Sequence, residues 1–379
     1  MSDRRNRLIR LRALLASAPH LADAYERAKQ VVRAFRKPAF YEVATRCNLF
    51  CEGCYYFSDN FAPVEPVTDN AAWERFFAAE AARGVTMAYF VGAEPALEQE
   101  RLLAAARHFP HGNIGTNGTV RLDPAIPYRI GVSVWAADAA TDATLRGGST
   151  FAKAIRNYAG DPRAIILYTL TRTNLADTRR LAEICRDNDL PLTFNMYSPT
   201  HTYLRKLQEG VGNDKEFFRV SSQASNLCWD EASLAAVHDL LPRLMDEFPE
   251  TIIYSRAYND WATRPGPLDD IDPETGVARD CHSRMVGQMR YFRTDLNPGQ
   301  EKCGTSDAVC SECRMYSGGW SSKFEPRDED VADLPALTGW LEMIATLGRI
   351  FLIDRPAPAQ AAERWSSNGG ELIRAQSGS

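Results

Sequence analysis

The stretch Ala39-Phe-Tyr-Glu-Val-Ala44-Thr-Arg-Cys47-Asn-Leu-Phe-Cys51-Glu-Gly-Cys54-Tyr55-Tyr56 runs a short apolar segment straight into three cysteines. Phe, Tyr and Val suit a pleated, half-buried surface, so Ala39–Ala44 reads as a strand, and the polar residues after it read as a loop. The cysteines follow a C-x3-C-x2-C pattern. Three thiolates at this spacing can wrap one corner of a small metal cluster. A tetrahedral zinc site, or a cluster held wholly by protein, takes a fourth ligand. None is near, since the next cysteine is Cys185 and the next histidine is His108. The open position is then free for a small molecule, at the edge of an α/β sheet where ligand sites gather. The alternatives are a zinc knuckle completed by a distant residue, or plain buried thiols.

Outward from this segment the pattern alternates. Strands are expected at Ala39–Ala44, Thr86–Val91, Asn113–Thr116, Arg129–Trp135, Ala164–Thr169 and Pro191–Tyr197. Helical periodicity falls between most of them, at Asn70–Arg83 behind a Thr68 or Asp69 cap, Glu98–His108, Thr150–Tyr158 and Leu175–Asp187. Strands alternating with helices imply a parallel sheet with right-handed crossovers, open or closed, in the α/β class. Before it, residues 5–36 carry apolar and basic positions at helical spacing. After it, helices are expected at Asp230–Glu247 and Leu334–Phe351, with a frayed tail at Gly369–Ser379. The expected domains are 1–37 (basic amphipathic helices), 38–225 (the barrel-like unit), 226–280 (helical linker), 281–325 (a cysteine-rich unit) and 326–379 (helix and tail).

Composition bounds the function. The chain has 379 residues, 45% apolar and 25% charged, which is ordinary for a soluble globular protein and excludes a disordered or collagen-like one. No run approaches the roughly 18 apolar residues of a membrane span, and no secretory signal is visible, so a cytoplasmic location is expected. The net charge is −5, but residues 1–37 alone carry +7, leaving −12 on the rest. An acidic body of this kind argues against a nucleic-acid partner. Nine cysteines, an odd count, point to metal or redox chemistry rather than a disulfide scaffold. Cys185 and Cys228 stand alone and read as core residues. The other four, Cys281, Cys303, Cys310 and Cys313, follow C-x21-C-x6-C-x2-C, a complete thiolate set for zinc or for an iron–sulfur cluster.

These features together resemble the radical S-adenosylmethionine (SAM) superfamily, whose signature is this cysteine spacing after the first strand. The resemblance covers about residues 40–197. It implies a partial (β/α)6 barrel and a [4Fe–4S] cluster on Cys47, Cys51 and Cys54. The open iron of that cluster would be chelated by SAM, with reductive cleavage to methionine and a 5′-deoxyadenosyl radical. Val91-Gly92-Ala93-Glu94-Pro95 is similar to the family's Gly-Gly-Glu-Pro turn, so the resemblance places Gly92 and Glu94 at the SAM amino group. Ala93 departs from the second glycine, which requires a negative φ there. Gly115-Thr-Asn117-Gly-Thr119 looks like the Thr-Asn-Gly turn, Ser133 falls where a contact to the ribose or carboxylate is found, and Thr169–Asn174 resembles a further Thr…Asn segment. Asn117, Ser133 and Asn174 are thus expected at the cofactor. The residue before the third cysteine is commonly aromatic in the family but is Gly53 here, so Tyr55 or Tyr56 is expected to supply the adenine surface.

The C-terminal cysteines, followed by Gly318-Gly319-Trp320, look like the shortened auxiliary-cluster unit called Twitch in the SPASM/Twitch subgroup. That likeness implies an auxiliary [4Fe–4S] cluster, closed by four thiolates, serving electron transfer or structure. An electron donor such as flavodoxin or ferredoxin is implied as partner. The substrate site of such a barrel lies over the C-terminal strand ends, which makes Trp135, Tyr197, His201, Arg205 and Tyr254 candidates. A small molecule or natural product is the expected substrate and an oxidation the expected reaction. A peptide comes second, and a lipid at an anionic membrane surface, met through the basic N-terminus, third. From a different class, a non-catalytic metal-binding module stays open.

Overall fold

Seven strands form one sheet in the order β6-β5-β4-β3-β2-β1-β7, every neighbouring pair parallel. The computed structural model describes residues 2–57, 64–148, 150–210, 219–285, 289–299 and 301–353, without the side chains of 2, 3 and 317. In chain order the elements are α1 (Ser2–Ser17), α2 (Ala22–Ala34), β1 (Pro38–Ala44), α3 (Asn70–Ala82), β2 (Met87–Gly92), α4 (Gln99–Ala106), β3 (Gly112–Thr116), β4 (Arg129–Val134), α5 (Ala139–Arg146) and α6 (Phe151–Tyr158). They continue with β5 (Ala164–Leu170), α7 (Thr178–Asp187), β6 (Leu192–Met196), α8 (His201–Glu209), α9 (Glu231–Glu247), α10 (Arg256–Ala262), β7 (Arg290–Phe292), α11 (Tyr316–Ser321) and α12 (Leu334–Phe351). The six expected strands are all present, so the α/β class stands.

The sheet has two unlike faces because side chains alternate along each strand. Tyr41, Phe90, Ile114 and Ile130 lie in register across four strands, fully buried on the helix-covered side. There Tyr41 packs edge-on to Phe77 and face-on to Phe109. The other register row, Phe40, Tyr89 and Asn113, faces a cavity, as do Gly115, Gly131, Ser133, Leu167, Thr169, Asn195 and Tyr291. Glycine at 115 and 131 leaves the interior hollow where larger residues would fill it.

β7 was not expected. It has three residues in a segment without periodicity, yet it pairs with β1 at Phe40↔Tyr291 and Tyr41↔Phe292. The cysteine-rich segment therefore contributes to the main sheet. From β7 the chain crosses to the opposite edge, where Thr200 bridges Ala308 and the Val309 amide donates to the Pro199 carbonyl at 2.9 Å. The Tyr316 amide donates to Asn195 Oδ1 at 2.9 Å. The gap between β6 and β7 is spanned in this way by residues 304–316.

The N-terminal helices form as expected. Leu11 buries, whereas Leu8 and Ile9 are 46% and 56% exposed between the outward Arg5 and Arg12. Among the described residues no helix is long and apolar enough to cross a membrane. The expected tail at 369–379 lies outside the described residues.

Candidate active site

The three cysteines leave β1 on a loop held by backbone contacts to α5. Phe50 N donates to Arg146 O at 2.9 Å and Glu52 N to Leu145 O at 2.8 Å. The buried Glu52 carboxylate accepts from Tyr203 Oη and from Ser221 N, both at 2.8 Å, tying the loop to α8 and to the segment after it. Gly53 adopts φ +59°, and a Cβ there would lie 2.0 Å from Tyr197 Oη. Tyr197 thus occupies the volume that a side chain at 53 would need. Tyr55 and Tyr56 both line the cavity; Tyr55 stacks on Tyr197 at 5.9 Å, and the Tyr56 hydroxyl donates to Glu42 at 2.6 Å. Both tyrosines offered as the adenine surface are thus at the cavity, and Tyr55 is the one backed by a second ring.

Cys47, Cys51 and Cys54 line one cavity of about 340 Å³ over the C-terminal strand ends, together with Gly92, Glu94, Asn117, Ser133, Trp135 and Tyr55. Gly92 has φ +126°, and a Cβ there would meet the Ala44 carbonyl oxygen at 2.4 Å, so the turn admits only glycine. Ala93 is not among the positive-φ residues, which meets the requirement its side chain imposes.

Glu94 is 1% exposed. Its Oε1 accepts from Ala96 N (2.9 Å) and Thr116 Oγ1 (2.6 Å), and its Oε2 accepts from Asn117 N (2.7 Å). A carboxylate has about four acceptor sites, which leaves one on Oε2. Burial raises the Glu94 pKa, against the opposing pull of these hydrogen bonds and of Arg146. Asn117 donates from Nδ2 to Asn48 Oδ1 at 2.8 Å and to Cys47 Sγ at 3.7 Å, joining the second turn to the cysteine loop. Ser133 Oγ accepts from Trp135 Nε1 at 3.2 Å.

Asn174 is placed differently from the other expected contacts. Its Oδ1 accepts from Thr171 N and its Nδ2 donates to the Trp135 and Thr169 carbonyls, all at 2.8–2.9 Å, and it does not line the cavity. Of the substrate candidates, only Trp135 lines the chamber. Tyr197 is buried beneath Gly53, His201 is exposed at the start of α8, Arg205 pairs with Glu209, and Tyr254 packs against Phe194 and Trp320.

Sequence reasoning missed Arg146. It ends α5, an eight-residue helix capped by Asp138 and stopped by Gly147 in the left-handed region. Its Nη1 donates to Ser133 O at 2.6 Å, while its buried Nε has no partner. Burial alone would lower its pKa, but the adjacent Cys51 and Asp142 hold it above its ordinary value. The signal was faint, because the Asp138 cap and Gly147 stop were legible while the helix between them lacks an apolar stripe.

Cys281, Cys303, Cys310 and Cys313 line a second, smaller cavity of about 40 Å³. Gly304, Thr305 and Met315 line both cavities and form the partition between them. Cys185 is fully buried on α7, and Cys228 is half-buried beside the packed group of Trp135, Tyr197 and Tyr203.

The donor chemistry tests whether metal clusters fit. Burial pushes the Cys54 and Cys303 thiols up to about 12 and raises those of Cys47, Cys281 and Cys313 as well. Sulfurs in such surroundings ionise only beside a cation, which a bound metal supplies. Among the described residues no three Cys, His, Asp or Glu side chains converge as ligands of a single metal ion. Thiolates are ligands of iron–sulfur clusters and of zinc alike, so the donor set of each cavity fits a metal centre held by sulfur.

No family model and no curated protein matches the sequence. Among solved structures, Streptococcus suis SuiB bound to S-adenosylmethionine is 13% identical with a TM-score of 0.46, covering 68% of this chain and 58% of SuiB. SuiB bound to its precursor peptide SuiA is 12% identical with a TM-score of 0.47, covering 73% of this chain and 62% of SuiB. Native anSMEcpe with bound AdoMet is 14% identical with a TM-score of 0.48, covering 75% of this chain and 80% of that protein. The chain thus spans less than two thirds of SuiB. At these identities and TM-scores the likenesses carry no role to any residue of this chain.

Proposed function

We propose that this chain is a radical SAM enzyme. The observation that carries the reading is the meeting in one cavity of three thiols, with no fourth among the described lining residues, the Glu94 carboxylate and the Arg146 guanidinium. Cys47, Cys51 and Cys54 would hold a [4Fe–4S] cluster, and the four C-terminal cysteines a fully ligated auxiliary one. Once reduced by an external electron donor, such a cluster with SAM on its open iron would supply the one electron needed for reductive cleavage of the sulfonium.

The residues of the chain divide the work of binding. Glu94 offers its remaining acceptor site to the SAM ammonium, a charge-assisted bond. Arg146, buried with Nε unpartnered, is suited to the methionine carboxylate beside it. Tyr55, backed by Tyr197, offers a flat apolar surface to the adenine, and Ser133 Oγ offers a polar contact to the ribose. Asn174 is a positioning residue that fixes the Trp135 backbone.

The remainder of the chamber is uncharged. Apart from the cysteines, Glu94 and Arg146 are its only ionisable groups other than tyrosines among the described lining residues, the rest being rings such as Phe40, Tyr89, Tyr291, Tyr316 and Phe351 with the amides Asn113 and Asn195. The reacting part of the substrate is accordingly neutral and apolar or aromatic. A peptide side chain and a natural product of that chemistry stand level as substrates. SuiB and anSMEcpe are solved with the peptides SuiA and Cp18Cys, and the small molecule expected from sequence keeps no lead over a peptide. Oxidation is the reaction placed first, and carbon–carbon or carbon–heteroatom bond formation second. Support for that order comes from a second thiol set that leaves no position for substrate.

The test is anaerobic purification followed by SAM titration. Brown protein with broad visible absorption that changes on adding SAM supports the reading. Colourless, zinc-loaded protein would mean a non-catalytic metal-binding module instead.

A further inference from the structure

Behind the Phe40–Tyr89 pair lies a third cavity of about 390 Å³, as large as the reaction chamber and reached from the other end of β1. The two rings stack at 4.7 Å and are the only described residues lining both spaces. They form a common wall. On the far side the apolar lining is mostly aromatic: Phe35 stacks on Phe324 at 4.7 Å, beside Phe40 and Tyr89, with Pro38 and Met289 completing it.

The charged lining is unbalanced. Its acid, Asp280, faces Arg327 at 3.6 Å and accepts from the Asp270 amide. One of its three arginines, Arg279, is held by Asp270 and Asp272. The other two, Arg36 at the end of α2 and Arg284, have no acidic partner among the described residues, and Arg284 Nε is buried without a hydrogen bond. Two guanidinium groups without acid partners, lining one cavity with an aromatic floor, match a phosphate or carboxylate carried on an apolar body.

We infer that this cavity is a binding site for an amphipathic organic anion, its phosphate or carboxylate held by Arg36 and Arg284 and its apolar part laid on Phe35, Phe40 and Phe324. Cys281, Ser283 and Arg284 also line the cavity of the C-terminal thiols, so the site abuts that centre, but the inference concerns binding on the far side of the chamber wall and needs no step at a cluster.

Calorimetry on the full, anaerobically purified chain tests it, with phenyl phosphate, inorganic phosphate and phenol as probes. Phenyl phosphate should bind one per chain, with inorganic phosphate and phenol each at least tenfold weaker, since each lacks half of the recognition. Arg284→Gln and Arg36→Gln should each weaken phenyl phosphate about tenfold or more. Arg36 lies exposed at a helix end, so its variant keeps the test valid where loss of Arg284 disturbs folding. Absence of saturable binding, or equal binding by Arg36→Gln, overturns the inference. Phosphatidylglycerol vesicles separate the two sources of phosphate. If the vesicles bind while phenyl phosphate does not, the basic N-terminal helix is meeting a lipid surface and the cavity assignment fails.

Discussion

Glu94 and Arg146 are buried charges aimed into one chamber, and each makes a definite prediction. Glu94→Gln keeps the shape and most of the hydrogen bonds while removing the charge. Since a hydrogen bond to a charged group contributes about 1.5–3 kcal/mol, SAM affinity should fall roughly tenfold or more with the visible spectrum of the protein unchanged. Equal affinity would show that the ammonium lies elsewhere. Arg146→Lys cannot reproduce a guanidinium fork. It should weaken SAM binding by a similar factor while methionine methyl ester, which lacks the carboxylate charge, competes equally well against either protein. The two residues differ in how legible they were. Glu94 sits in a motif, so the sequence alone singled it out as a candidate. Arg146 is one of 44 basic residues, and only the fold shows that it is buried beside Cys51.

At the scale of elements, the cysteine loop depends on glycines where other residues cannot go. Gly92→Ala would press a Cβ to within 2.4 Å of the Ala44 carbonyl at φ +126°. The β2 turn must then rearrange, so SAM binding should be lost while far-UV circular dichroism changes little. At Gly53 the obstruction is a side chain, Tyr197, as well as a left-handed φ. Gly53→Ala should destabilise the protein by about 1–3 kcal/mol in denaturant titration, the range for strain and overpacking, and adding Tyr197→Phe should recover part of it. Recovery of nothing would mean that backbone strain alone sets the cost. Strands β1, β2, β4, β5 and β6 were readable because each carries β-branched or aromatic residues, β3 (Gly112–Thr116) because it falls in the strand–helix alternation just before an Asn-Gly turn, and α12 because its apolar stripe persists over 18 residues. β7 and α5 were not. A strand of three residues owes its form to pairing with β1, and α5 has local caps but no apolar stripe between them; they supply Tyr291 and Arg146 to the chamber.

Across the whole molecule the two cavities share walls, so the cysteine-rich segment closes the barrel rather than hanging from it. Its stability should be tied to metal through the thiols. Burial raises the folded pKa of Cys54 and Cys303 to about 12, above the ordinary value near 8.5 expected in the unfolded chain. A raised folded pKa means that the unfolded state gives up its protons first. Stability is therefore intact below about pH 8.5 and lost progressively as pH rises toward 12. Metal-free protein should show its thermal midpoint falling between pH 8 and pH 10, and metal-loaded protein, whose sulfurs are already thiolates, should not. The central claim is that Cys47, Cys51 and Cys54 hold the centre that cleaves SAM. Its most direct test is anaerobic, dithionite-driven formation of 5′-deoxyadenosine by the wild-type chain and by the variant with all three cysteines changed to Ala, with iron and sulfide counted in both. The expected result is product from the wild type, none from the variant, and about four irons still bound by the variant, the content of one remaining [4Fe–4S] cluster. Undiminished 5′-deoxyadenosine from the variant would contradict the assignment.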